Sequence, residues 1–137
     1  MTDFRSTSPL GKDAVALAGL FLVSGAMHFV RPEPFEAIVP PQFPQRRFLV
    51  LASGAAEIGC AVGLLVPRTR RVAGIASAVL LVAVLPANVS MTAQAKRRLD
   101  RDPGNTTHRR YLAATVARLP LQWPMIRTAL KAAEVMR

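Results

Sequence analysis

Residues 48–66 read FLVLASGAAEIGCAVGLLV, nineteen positions whose one formal charge, Glu57, falls at the centre. A helix advances 1.5 Å per residue, so this stretch would cover about 28 Å, close to the roughly 30 Å of hydrocarbon in a bilayer. A carboxylate at that depth costs roughly 2.5 to 3.5 kcal/mol on insertion scales, and its presence points to a partner or a use. The nine Leu, Ile, Val and Phe residues around it return roughly −3 to −5 kcal/mol, enough to carry the acid in. Glu57 therefore marks where chemistry would sit, without saying which reaction it is.

Working outward, apolar blocks recur at 14–30, 72–89 and 111–130, with the charges gathered almost entirely into the connectors. Residues 14–30 (AVALAGLFLVSGAMHFV) and 72–89 (VAGIASAVLLVAVLPANV) carry no formal charge. Neither offers the polar stripe that a helix on a soluble core presents to water. The expectation is an all-α integral membrane four-helix bundle, one domain over 1–137, with spans at approximately 14–30, 48–66, 72–89 and 111–130. The fourth block is the weakest. It has only six Leu, Ile, Val or Phe residues and contains Arg118, Pro120, Gln122, Pro124 and Arg127. It should insert only with help from the other helices, or else lie along the interface as an amphipathic segment.

The connector 31–47 (RPEPFEAIVPPQFPQRR) holds five prolines, which rule out a long helix, yet Phe35, Ile38, Val39 and Phe43 need apolar surroundings. Two readings stand: a short interfacial or shallow re-entrant segment, or a proline-rich loop resting on the headgroups. Pro67 ends the second span, and the tight PRTRR turn makes spans two and three antiparallel neighbours. Pro86 removes a backbone donor near the end of span three and predicts a kink. Ala55, Gly59 and Gly63 form a small-residue ladder that would let another backbone approach, from this chain or from a second copy in a homo-oligomer.

The net charge of +10 raises the question of nucleic acid. The basic residues, however, sit in the connectors, where each gains roughly 1 kcal/mol against anionic headgroups, and no aromatic-interleaved platform accompanies them. The expected partner is the lipid bilayer, with no nucleic acid. Lys and Arg number eight on one side and nine on the other, so charge does not orient the spans. Arg5 and Lys12 ahead of an apolar run, with Ser24, Gly25 and Ala26 within it, raise the alternative of a cleaved signal peptide. The run continues past that point through His28 and Phe29, longer than a signal core, and a retained first span is expected. The lone Cys60 permits no intrachain disulfide.

Depth counted at 1.5 Å per residue places four polar residues in one half of the membrane, the half facing the proline-rich connector, with Gln122 one turn beyond Arg118 on the same helix face. His28 and Asn88 lie near the exits of their spans, Glu57 roughly 13 Å in and Arg118 roughly 10 Å in. The reading gives Glu57 a counter-ion in Arg118, with His28, Asn88 and Gln122 completing the hydrogen bonds. A ligand pocket and a purely structural ion pair are both compatible with that constellation. No nucleophile elbow, HExxH, glycine-rich phosphate loop or CxxC is present, and only one His falls within a span, which gives no axial pair for haem. No metal site and no cofactor within the chain are expected. Any electron transfer would need a quinone or a cofactor on a partner, and the chain alone does not read as an enzyme.

The runs SGAMHFVRPEPFEAIVPPQFP, SGAAEIGCAVGLLVPRTRRVAG, LLVAVLPANVSM and RLPLQWPMI resemble the DoxX-like family of small bacterial membrane proteins, and the match touches all four spans. The resemblance implies a four-helix protein of the bacterial plasma membrane, multi-pass. It places His28, Glu57, Asn88, Arg118 and Gln122 in segments that look like the family's motifs. It implies an accessory membrane subunit of a redox or quinone-linked system, with a redox-enzyme partner. The alternatives are a stand-alone binder or carrier of a small amphipathic molecule or lipid, and a structural membrane scaffold without catalysis.

Overall fold

The computed structural model describes residues 9–134, and Arg5, on the leading flank of the first apolar block, lies outside them. Every regular element among the described residues is helical. In chain order they are α1 (Lys12–Val30), α2 (Glu33–Ile38), α3 (Arg46–Leu65), α4 (Arg70–Ala83), α5 (Leu85–Arg101) and α6 (Thr106–Glu134). Three runs, Lys12–Val30, Arg46–Leu65 and Arg70–Arg101, are long and apolar enough to cross a membrane. Their outer faces carry bare hydrophobic side chains, with Val23 66% and Val72 72% exposed. Against water such faces are a liability, whereas against hydrocarbon they are matched. The 29-residue α6 is not one of these runs, and its only tryptophan, Trp123, is 71% exposed.

The third run is broken where proline chemistry predicts. Pro86 has no N–H to give the Val82 carbonyl, and the helix is interrupted at Val84. The chain restarts at once: Val84 N–H donates to the Leu80 carbonyl at 3.0 Å and Asn88 N–H donates to the Val84 carbonyl at 3.1 Å. α5 then continues well past position 89. Residues 90–101 (SMTAQAKRRLDR) are rich in Ala, Gln, Lys, Arg and Leu, strong helix formers, so much of the chain between the expected spans at 72–89 and 111–130 is helix. Asn105 starts α6 by accepting the His108 N–H on its side-chain oxygen at 3.1 Å, an N-cap that the apolar pattern alone did not reveal.

Packing rests on small residues. α1 and α3 cross where a Cβ on Gly25 would stand 2.7 Å from the Gly54 carbonyl, and one on Gly54 2.6 Å from the His28 Cβ. α3 and α4 meet at Gly63, whose Cβ would stand 2.7 Å from that of Ala73. α4 and α6 meet at Gly74, pressed against the backbone of Ala129 and Ala133. Within the chain the ladder is used only in part. Only Gly63 packs, while Ala55 and Gly59 lie on an exposed face, and a Cβ on Gly59 would meet nothing within 4 Å. The contact helix α3 offers to α1 runs instead through Gly54 and Glu57, a face the ladder's spacing did not select. The 66–69 turn is stitched by the Thr69 hydroxyl donating to the Gly63 carbonyl at 2.9 Å and Arg70 Nε donating to the Leu64 carbonyl at 3.0 Å. At that end Leu17, Phe21, Leu64 and Leu81 fill a dry core with a set of alanines.

A candidate functional site at the polar end

Away from that core the helices separate around a cavity of about 510 Å³. It is walled by the end of α1, the first half of α3, the α4–α5 break and the start of α6. Most of its surface is apolar. The polar groups on it are Ser24, His28, Ser53, Glu57, Asn88, Tyr111 and Arg118.

The crossing of α1 and α3 brings histidine and acid together because Gly54 faces His28 and Gly25 faces Glu57. His28 is 7% exposed and Glu57 7%. The Nδ1 atom of His28 lies 2.7 Å from the Ser24 carbonyl oxygen, which can only accept, so Nδ1 carries the proton and donates it there. Glu57 Oε2 stands 3.8 Å from the same nitrogen, too far for a hydrogen bond. That oxygen is buried without a hydrogen-bond partner, although the Ser24 hydroxyl faces the carboxylate. In a neutral ring the His28 Nε2 remains an acceptor.

Asn88 enters the cavity from the first turn after the break. It is 5% exposed, and its side-chain amide makes no hydrogen bond among the described residues; its backbone alone is engaged, the N–H donating to the Val84 carbonyl and the carbonyl accepting from the Thr92 hydroxyl. Arg118 lines the same cavity from α6 but is exposed and forms no ion pair there. Arg118, the counter-ion expected from depth, makes no ion pair with Glu57 within 4 Å among the described residues; the basic group beside the acid is His28, supplied by the α1–α3 crossing, while Arg118 acts on the carboxylate electrostatically from across the cavity. Gln122 does not line the cavity. Its amide donates to the Leu81 carbonyl at 3.2 Å, tying α6 to α4 just ahead of the break, with Oε1 buried and unpartnered. Its position one turn beyond Arg118 was legible, but the carbonyl it would meet was not.

Of the lining residues not expected from the sequence as site residues, three stand out. Ser24 could have been found as the residue one turn before His28, and Tyr111 as the residue seven before Arg118 on the same face. The third, Phe35, belongs to the roof, where its ring stacks on His28 with centroids 3.9 Å apart and an interplanar angle of 24°. The roof is α2, a single amphipathic turn and a half held down by Gln94 Nε2 donating to the Ala37 carbonyl at 2.7 Å and by the Arg47–Glu36 ion pair at 3.1 Å. Beyond it, Val39, Pro40 and Phe43 continue along the cavity wall.

Among the described residues no group of three or more His, Cys, Asp or Glu side chains could hold a metal ion. The site's capacity is hydrogen bonding: an acceptor at Glu57, an acceptor at His28, a donor and an acceptor at Asn88, and donors at Arg118. Residues 17–133 match the model of a family described as a domain of unknown function (DUF8561). No curated protein and no solved structure matches the chain.

Proposed function

The chain belongs to the DUF8561 family, and from that premise we propose that it is a membrane-embedded binder of a small amphipathic molecule. The observation that carries this reading is the buried, unpartnered Glu57 oxygen facing a cavity onto which the free Asn88 amide and the Arg118 guanidinium also open. Buried polar groups are nearly always satisfied, and an orphaned carboxylate oxygen on a roomy, mostly apolar cavity that also carries the Asn88 amide and Arg118 calls for a ligand head. That head would donate to Glu57 and accept from Arg118 and Asn88, as a hydroxylated ring or chain end does.

In this reading α6 completes a four-helix bundle in the bacterial plasma membrane, its Arg118 and Gln122 tolerated because both turn toward protein or cavity. The proline-rich connector dips as a shallow re-entrant roof. The DoxX-like resemblance favours one version of this function, an accessory subunit of a quinone-linked redox system, because a quinol presents hydroxyls of the required kind. Copurification of a flavin, iron or thiol enzyme in mild detergent separates that version from a stand-alone carrier.

The test is solvent extraction of the detergent-purified protein followed by mass spectrometry. The expected result is an amphiphile bound in a fixed ratio that is lost from Glu57→Gln and Asn88→Leu while circular dichroism stays unchanged. Equal occupancy in those variants, or none in the parent protein, overturns the proposal.

A further inference from the structure

Resting on the reading that this cavity binds an amphiphile, we infer that its ligand is a membrane-dissolved lipophile admitted sideways from the hydrocarbon between α3 and α4, leaving its tail in the gap. Three observations converge on that route.

The aqueous side is closed by α2, which is pinned to α5 through Gln94, to the start of α3 through Arg47 and to α1 through the Phe35–His28 stack. The α1–α6 side is occupied by long polar side chains, those of Tyr111 and Arg118. The α3–α4 side is different. The two helices are clamped together near their shared turn by the Gly63–Ala73 contact and the Thr69 and Arg70 hydrogen bonds. Toward the other end Ala52 and Ala56 on α3, and Ala83 on α4, line the cavity and are themselves exposed. Tyr111 and Arg118 are lining and exposed as well, but they fill their side with a ring and a guanidinium, whereas methyl groups leave the gap between α3 and α4 open. On α4 this opening lies one turn from Val79, which is 63% exposed.

The opening is bordered by methyl groups, which admit an alkyl or isoprenoid chain and offer a water-borne polar solute nothing. The hydrogen-bonding groups sit at its inner end. A tailed molecule would therefore lie head inward, with its chain returning to the bilayer. The break at Val84 keeps the wall apart here, because Pro86 prevents α4 and α5 from forming one continuous helix alongside α3.

Carbene mapping of the full chain in phosphatidylcholine vesicles tests this without knowledge of the natural ligand. A hydrophobic aryl diazirine should insert into Glu57 and Asn88 as well as into the outer residues Val62 and Val79, whereas a water-soluble diazirine should leave the cavity unlabelled. Ala56→Phe with Ala83→Phe should abolish cavity labelling and retain labelling of the outer residues; Ala52→Leu with Ala56→Leu provides a milder blockade should the first pair not fold. Cavity labelling from water, or cavity labelling from hydrocarbon undiminished by both blockades, overturns the inference. Cavity labelling from hydrocarbon in a protein that yields no extractable amphiphile would leave the lateral opening standing and remove the binding function instead.

Discussion

At the scale of single residues, glycine sets the geometry of the site. Gly25 and Gly54 let two helix backbones touch, and that contact alone brings His28 within 3.8 Å of Glu57. Gly25→Ala would place a methyl group 2.7 Å from a carbonyl that cannot swing away. We expect a loss of about 1–3 kcal/mol, the usual range for overpacking, read as a lower melting temperature in detergent. Gly59→Ala meets open space and should be neutral or stabilising by up to about 1 kcal/mol, the helix preference for alanine over glycine. The pair of variants separates the packed face of α3 from its bare one. Glu57, His28, Asn88 and Arg118 were legible in the sequence, because a polar residue inside an apolar run stands out. Which residue would lie next to Glu57 was not. Depth along the membrane normal follows from counting, but rotation about each helix axis depends on which small residues meet, and within the chain only Gly63 of the Ala55, Gly59 and Gly63 set meets another helix. Gln122 shows the same limit from the other side: its depth was right, yet its amide turns to the Leu81 carbonyl. Gln122→Leu should cost about 1–2 kcal/mol in thermal unfolding through the lost hydrogen bond, with less effect on any bound amphiphile than Asn88→Leu.

At the scale of elements, the α4–α5 break and the α2 roof shape the cavity. Pro86→Ala restores a donor opposite the Val82 carbonyl and should fuse the two helices. Spin labels at positions 75 and 97 should then move apart, as measured by pulsed dipolar spectroscopy, and the cavity should narrow; an unchanged distance would mean that packing against α6, rather than proline, holds the bend. The kink was readable because the physics is local to one residue. The length of α5 was not, since its last three turns are polar and were assigned to a connector by hydropathy although their helix propensity is high. The roof behaves differently under mutation. Arg47 is 60% exposed in its ion pair with Glu36, and exposed pairs contribute about 0–1 kcal/mol, so Arg47→Ala should leave global stability nearly unchanged. Any loosening would appear as faster proteolysis within 39–45.

At the scale of the whole molecule, the two ends divide the work. One end is a dry core of alanine and leucine around the 66–69 turn; the other holds the polar cavity beneath the roof. Apolar side chains cover the outside of both. In buffer without detergent the protein should aggregate, which sedimentation velocity would show as the absence of a monomer boundary; a folded monomer there would be incompatible with a hydrocarbon surrounding. Fold class and membrane character were legible at this scale because the apolar blocks are long and uncharged.

The single tryptophan at position 123 stands with most of its indole bare on the outer side of α6, opposite the Gln122 amide that anchors the helix inward. The protein thus carries a native optical depth gauge on the long helix that is not among the three membrane-length apolar runs. Lipids brominated at successive acyl carbons would quench its emission most strongly at one depth, and that depth distinguishes a helix crossing the bilayer from one floating at its surface.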